Sequence, residues 1–531
     1  MTETPEKQNS SLTAQAAWIL IAKVTSFALA IAVPLLLARR LDQTEFGLYK
    51  QVFLVIATAN ALLPFGFGMS AYYFLPRETG KRGAVVLNIL IFNAAVGLFA
   101  AALLFFFPNS LVWLFGDALM ASFAPALGIA IWLWIFSTFL ETLVIANNEA
   151  RLAMVFIVIS QFSKAIFFLT AAILFGTVSS LIWAAVLQAA LQTVILFVYA
   201  KRRFPDLFRV FDFGLLKRQF TYTLPFGLSG WLNTGQTDAH NYFVSRRFTP
   251  ADFAVYSIGC FELPLIGILA ESVSSVLIPL MSRLSASDDK REIVETSARV
   301  TRKLALVYFP LYAFLFITAE VFITTLFTAN YASSVPIFRI NLTLLPFAVL
   351  VLDPITRAYK EIGYFLLRLR LALFVLMVPA LWYATTNFGL LETSAVVVTF
   401  ALTERVLSTL KIARTIDFQT KDFSLLGGAF RTAFATIVSA AALFAFYYLT
   451  KENLTTFFSS IAESALSYQK LSDFLGGATF LAACAVLFAA IYLILINLFG
   501  ALEPEDKQKL TNLLQKFFRF RKPEPDLRFE T

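Results

Sequence analysis

The chain has 531 residues, of which 59% are hydrophobic and only 15% charged, and its mean hydropathy is +0.74. Soluble domains carry roughly 25% charged residues, so this composition excludes a soluble enzyme. The net charge of +9 reads as the basic loops of a membrane protein, and no nucleic-acid partner is inferred.

The apolar residues come in runs of about 20, long enough to cross a ~30 Å hydrocarbon core as helices. A membrane barrel would instead show alternating segments of about 10 residues. In chain order, the predicted spans are about 12–38, 46–74, 84–107, 119–146, 151–175 and 179–201. A second set follows at about 218–245, 252–281, 302–327, 335–358, 364–386 and 390–414, then two more at about 424–449 and 473–500. The expected fold class is an all-α polytopic membrane protein of about 14 transmembrane helices: two pseudo-symmetric six-helix lobes plus two C-terminal helices.

The chain then divides into an N-lobe at 1–201, a linker at 202–217 and a C-lobe at 218–414, followed by the last two spans at 415–500 and a tail at 501–531. In the tail, Leu510, Leu513, Leu514, Phe517 and Phe518 share one helical face among lysines and arginines, a pattern suited to the inner leaflet surface or to a short solvated helix. No small-residue cleavage site follows a short apolar region, so the first span is expected to stay. Cys260 and Cys484 lie in apolar runs and are expected to pack.

Lys and Arg are distributed unevenly. With the termini, the loops after even-numbered spans hold 33 of the 43, and the opposite loops hold seven. The positive-inside rule then places both termini in the cytoplasm.

RRLDQTEFGLY at 39–49 is echoed by RRFTPADFAVY at 246–256. Arg39-Arg40 precede Phe46 as Arg246-Arg247 precede Phe253, and Tyr49 and Tyr256 follow three residues later. Each copy sits at the outer end of the first helix of a six-helix set. Letters, spacing and position together indicate an internal duplication. Six spans per copy give both the same orientation, the parallel-repeat architecture of transporters with a site between the halves.

LLLARRLDQTEFGLYKQVFLV resembles the opening signature of the polysaccharide flippases, a family of the multidrug/oligosaccharidyl-lipid/polysaccharide exporter superfamily. TLPFGLSGWLNTGQTDAHNYFVSRRFTPADFAVYSIG resembles that family's seventh and eighth helices, and LFTANYASSVPIFRINL its link between the ninth and tenth. Asp42 stands where the family usually has Gly. The resemblance implies a two-lobed, V-shaped fold in the bacterial inner membrane that exports undecaprenyl-pyrophosphate-linked oligosaccharide. Its implied partners are that cargo, membrane lipids and the polysaccharide polymerase machinery, with the chain a monomer. A multidrug exporter and a lipid II flippase are alternatives within the superfamily.

Such a cargo needs a hydrated path with fixed positive charge for pyrophosphate and hydrogen-bonding groups for sugars. Lys23 and Lys164, inside spans, are candidates for the charge, against snorkelling or structural pairing. Asn233, Gln236, Thr237 and Asn241 make the seventh helix too polar to face lipid. They line a cavity or a buried network. His240, the only histidine, is more in keeping with a structural role than with coupling.

Asp238 and Glu262 fall at similar depth, and Glu271 lies lower, near the level of Lys23. These acids are candidates for H⁺ or Na⁺ coupling. Arg39, Arg40, Arg246 and Arg247 break the inside rule. They either guide pyrophosphate at an outer gate or cap helix C-termini. No P-loop, zinc-ligand cluster or Gly-x-Ser-x-Gly occurs, so no catalytic residue, metal or other cofactor is assigned. A membrane glycan polymerase or ligase, the alternative from another class, would usually show a large outer loop with catalytic side chains.

Overall fold

The computed structural model describes residues 32–208, 211–465 and 469–502. Most of the first predicted span, including Lys23, and nearly all of the tail lie outside the described residues.

The described residues are helical and form no strand. The helices are α1 (32–40), α2 (Gln43–Leu62), α3 (Ser70–Phe74), α4 (Arg82–Phe106), α5 (Asn109–Phe115), α6 (Met120–Ala146), α7 (Ala150–Leu174) and α8 (Val178–Arg203). They continue as α9 (Phe213–Arg247), α10 (Pro250–Gly259), α11 (Pro264–Ala286), α12 (Lys290–Phe327), α13 (Val335–Leu342), α14 (Asp353–Ala358), α15 (Lys360–Asn387) and α16 (Leu390–Thr415). Last come α17 (Gly427–Ala465) and α18 (Gln469–Leu498).

Among the described residues, ten helices are long and apolar enough to cross a membrane, or eleven if the bent pair Gln43–Leu62 and Phe67–Phe74 counts as one span. The protein is therefore a multi-pass membrane protein, but this count does not reach the expected 14. α9 falls short because of its own polarity: seven polar side chains crowd 233–241. α16 carries Glu392, Glu404 and Arg405 within its first 16 residues. The predicted span 252–281 is broken at Phe261–Leu263, between α10 and α11.

Burial separates the helices. The apolar window of α6 is 56% buried, whereas that of α15 is 17% buried. The exposed side chains of α15 include Leu371, Val375, Leu376 and Trp382. Water penalises such a surface and lipid does not.

The chain forms two compact units. The first comprises Met1–Leu265, Leu326–Asn341 and Leu367–Glu404, and the second Ile266–Thr325, Leu342–Leu366 and Arg405–Thr531. A core of the first gathers Phe67, Phe74, Val85, Ile89, Phe139, Leu143 and Leu196. In the second, Leu443, Tyr447, Phe480, Cys484 and Phe488 form one cluster, and Leu304, Tyr308, Leu345 and Val349 another. Cys484 is fully buried there.

The repeated segment explains its own local structure. Asp42 caps α2 by accepting from the Glu45 amide at 2.7 Å, with extended backbone (φ −71°) that suits any residue. Glycine is not needed for this turn. The equivalent Thr249 caps α10 in a reciprocal capping box with Asp252, followed by Pro250 at the first helical position, an arrangement that satisfies two otherwise free amides. The two copies also touch. At Gly47 of α2 a Cβ would lie 1.7 Å from the Pro250 carbonyl oxygen, so only glycine admits this approach of α2 to α10.

Candidate functional site

α9 carries the densest polar stretch, and its placement follows from its first turns. Asp212 caps it by accepting from the Leu215 amide at 2.9 Å. Asp212 also accepts from Lys81 at 2.7 Å, and this bond holds its carboxyl below the usual carboxylate range. Deeper, fully buried Gln219 accepts from Asn88 of α4 at 3.0 Å and donates to Ser70 of α3 at 3.1 Å. A buried amide costs stability unless bonded, so this knot fixes the register of α9 against α3 and α4. Gly227 packs on Phe65, where α2 bends, and Trp231 donates to the Leu62 carbonyl at 2.6 Å.

Beyond that anchor, the polar face emerges. Asn233 and Thr237 are exposed, and Asn241 is half-buried. Gln236 differs: its side-chain amide donates to Glu404 of α16 at 2.6 Å. The other Glu404 oxygen accepts from the Arg370 guanidinium of α15 at 2.9 Å. Three helices thus converge on one carboxylate. Arg370 lies ten residues into α15 and Glu404 fourteen into α16, roughly 15 and 21 Å from their helix starts. Neither Arg370 nor Glu404 stands out in the sequence. The available signal was the unbroken helical run around each.

Asp238 points to the same region as Thr58 of α2, Tyr242 and Glu262. The Thr58 hydroxyl lies beside Asp238 and Tyr242 but meets neither with hydrogen-bond geometry. Glu262 is exposed on the non-helical stretch between α10 and α11 and near enough for its charge to act on Asp238. Irregular backbone at membrane depth is tolerated where it is buried in protein or lines water. His240 shares a 2.9 Å hydrogen bond with Tyr256, whose side chain is fully buried, and this bond ties α9 to α10.

Lys164 on α7 is half-buried, with its ammonium 5.3 Å from the Trp134 ring centroid and 5.9 Å from that of Phe168. Aromatic faces partly compensate a cation removed from water. Glu271 is exposed on α11 in the second unit.

The four arginines of the repeated segment, Arg39, Arg40, Arg246 and Arg247, differ in their contacts. Arg39 donates to the Leu326 carbonyl at 3.2 Å and Arg40 to the Ile173 carbonyl at 3.3 Å, each at the last turn of a helix. Cations are favourable there because terminal carbonyls lack partners. Arg246 packs over Gly116, whose φ of +76° ends α5. Arg246 and Arg247 are exposed and make no hydrogen bond or ion pair among the described residues. Gln43 adds a 2.6 Å bond to the Asn330 carbonyl, in the linking segment singled out from sequence. Tyr331 of that segment packs edge-on against Phe46, with both rings fully buried.

Among the described residues, no group of three or more His, Cys, Asp or Glu could hold a metal ion. The site as built offers an exposed polar face, a charged network at membrane depth, a pair of neighbouring carboxylates and an aromatic-framed lysine.

A protein family described as "Polysaccharide biosynthesis protein" matches residues 36–336, more than half of the chain. No curated protein matches the sequence. A solved structure of the lipid II flippase MurJ, in an inward closed conformation, aligns with a TM-score of 0.67 at 14% identity, covering 91% of this chain and 98% of that one. A MOP superfamily transporter from Pyrococcus furiosus aligns with a TM-score of 0.52 at 14% identity, covering 76% and 94%. These likenesses establish the fold, that of the MOP-superfamily transporters.

Proposed function

Because the chain belongs to the polysaccharide biosynthesis protein family, we propose that it is a flippase that moves undecaprenyl-pyrophosphate-linked oligosaccharide from the inner to the outer leaflet of the bacterial inner membrane. The observation that carries this reading is α9, a membrane-length helix whose exposed Asn233 and Thr237 sit within a MOP-type transporter fold. Exposed polar side chains at that depth favour a water-filled path over lipid.

In this reading, both termini are cytoplasmic and the repeats at 1–201 and 218–414 rock against each other around the path. Lys23 and Lys164 meet the pyrophosphate. Asn233, Gln236, Thr237 and Asn241 meet sugar hydroxyls, with Gln236 exchanging its Glu404 partner for the cargo. Asp238 with Glu262 binds H⁺ or Na⁺, since two neighbouring carboxylates hold one cation or share one proton more readily than either alone. Glu271 is a further carboxylate for the coupling ion. Arg246 and Arg247, which lack partners among the described residues, serve the outer gate. Arg39 and Arg40 close helix ends there. The protein works as a transporter rather than an enzyme, as a monomer handing cargo to polymerase machinery.

The test is flipping by purified protein in liposomes, using a short fluorescent undecaprenyl-pyrophosphate oligosaccharide. Wild type should expose the cargo on the far leaflet, and Lys23→Ala and Lys164→Ala should slow it by at least tenfold, about 1.4 kcal/mol in the barrier. Wild-type protein that moves none of several glycans would overturn the reading. Flipping unaffected by ionophores would remove the coupling role of Asp238 and Glu262.

A further inference from the structure

A second cleft lies outside the polar face of α9. It opens between the end of α3 and the second and third turns of α9, with a volume of about 550 Å³, and is lined by Tyr73, Arg77, Glu78, Lys217, Arg218 and Tyr222 among others. All of these belong to the first unit. Both helix ends fall where Lys and Arg gather, so the cleft sits at a membrane–water boundary, on the cytoplasmic face in the orientation proposed above.

Three cations and one acid face this cleft. Arg218 is neutralised by Glu78 at 2.9 Å. Arg77 lies over the Tyr73 ring, 3.8 Å from its centroid, and spends one donor on the Tyr73 carbonyl at 2.9 Å. Its remaining N–H groups are open. Lys217 is exposed, and its ammonium makes no hydrogen bond or ion pair among the described residues. Two positive charges are therefore in excess, one of them held in place by the Tyr73 ring and carbonyl.

The wall behind them is apolar. Tyr73 and Tyr222 stack at 4.5 Å, and Phe74 is buried beneath them, edge-on to Tyr222. Thr221 turns its hydroxyl hydrogen to the Lys217 carbonyl, which leaves that oxygen able only to accept. Glu78 is the only carboxylate lining the cleft.

We propose that this cleft seats the phosphate of a membrane lipid, with Arg77 and Lys217 holding the phosphate and the tyrosine wall carrying the first carbons of its chain. Excess charge alone would attract any anion. The aromatic wall at a boundary position adds the apolar contact that selects a lipid-borne phosphate over a soluble one. Two sources carry this chemistry: the pyrophosphate-linked cargo waiting in the inner leaflet, and an anionic phospholipid of the bilayer. The first source rests on the flippase reading, but the second does not.

The experiment measures lipid retention on the full-length protein in detergent by native mass spectrometry. The probes are geranylgeranyl pyrophosphate, dioleoylphosphatidylglycerol, dioleoylphosphatidylcholine and inorganic pyrophosphate. The double variant Arg77→Gln/Lys217→Gln is compared with Arg202→Gln, an exposed arginine at the end of α8 outside the cleft. The double variant should bind the anionic lipid probes at least about tenfold more weakly. Arg202→Gln should change them less than about twofold, and phosphatidylcholine should be unaffected.

A loss confined to the prenyl pyrophosphate identifies the seat as a station for cargo. A loss confined to phosphatidylglycerol identifies a bilayer-lipid site, and a loss of both shows that the phosphate itself is read. Unchanged binding in the double variant, an equal loss in Arg202→Gln, or inorganic pyrophosphate binding as tightly as the prenyl form overturns the proposal. Binding is read without transport. Wild type that fails to flip cargo yet binds it through Arg77 and Lys217 would therefore strike the proposed function and leave the seat standing.

Discussion

Replacing Glu404 by Gln keeps the shape of the side chain and removes its charge. In the native network, that carboxylate accepts from Arg370 at 2.9 Å and from Gln236 at 2.6 Å. At 2.9 Å and an effective dielectric near 20, the Arg370–Glu404 attraction is roughly 6 kcal/mol before solvation. The Arg370 side chain is 36% exposed and that of Glu404 18%, so water and desolvation return much of this. The net coupling should be about 2 kcal/mol, in the range of hydrogen bonds to charged groups. Breaking one side of the pair also strands the other charge.

Thermal melts of four purified proteins test this: wild type, Glu404→Gln, Arg370→Leu and the double variant. Each single change should lower Tm, and the double should fall by clearly less than the sum, because a cycle isolates the pair. Gln236→Leu should cost somewhat less, about 1.5 kcal/mol, the low end for a hydrogen bond to a charged group, since its donor is neutral. Melts that add in the cycle would show that α15 and α16 are not joined through Arg370 and Glu404.

Two further perturbations follow from the same structure. Gly47→Ala sets a Cβ against the Pro250 carbonyl, which as backbone has little freedom to move away. Overpacking of this kind costs about 1–3 kcal/mol, so Tm should fall, and an unchanged melt would mean that α2 and α10 do not approach so closely. Asp212→Asn should lower Tm at pH 7, because the ionised carboxylate bonds Lys81 and caps α9. The folded carboxyl is held low by Lys81. Its contribution is therefore present above the ordinary carboxylate value and lost as pH falls through the depressed one. The gap between variant and wild type should close in acid, and a gap independent of pH would remove the carboxylate from the account.

The repeated segment was legible because it is local. Arg-Arg at a helix end, a capping residue and a buried aromatic recur at fixed spacing, and caps depend only on neighbours three residues away. The polarity of α9 was legible for the same reason, since seven polar side chains within nine residues need no tertiary information. The count of spans was harder. Hydropathy averages over a window, and the structure interrupts that window where function requires it: at Phe261–Leu263, at the bend after Leu62, and along α9 itself.

The Arg370–Glu404–Gln236 network was not legible, because its members lie 34 and 168 positions apart and nothing in any single helix marks them as partners. Arg370 sits in a run of alternating Arg and Leu near a basic loop, where the inside rule gives a sufficient reason for its charge. Charge near a helix end has two explanations, topology or pairing. Sequence favours topology because it needs no partner. Only a fold that carries α15 and α16 back to α9 makes pairing the stronger explanation, and it does so by turning three separate polar residues into one satisfied group at a depth where unsatisfied charge is costly.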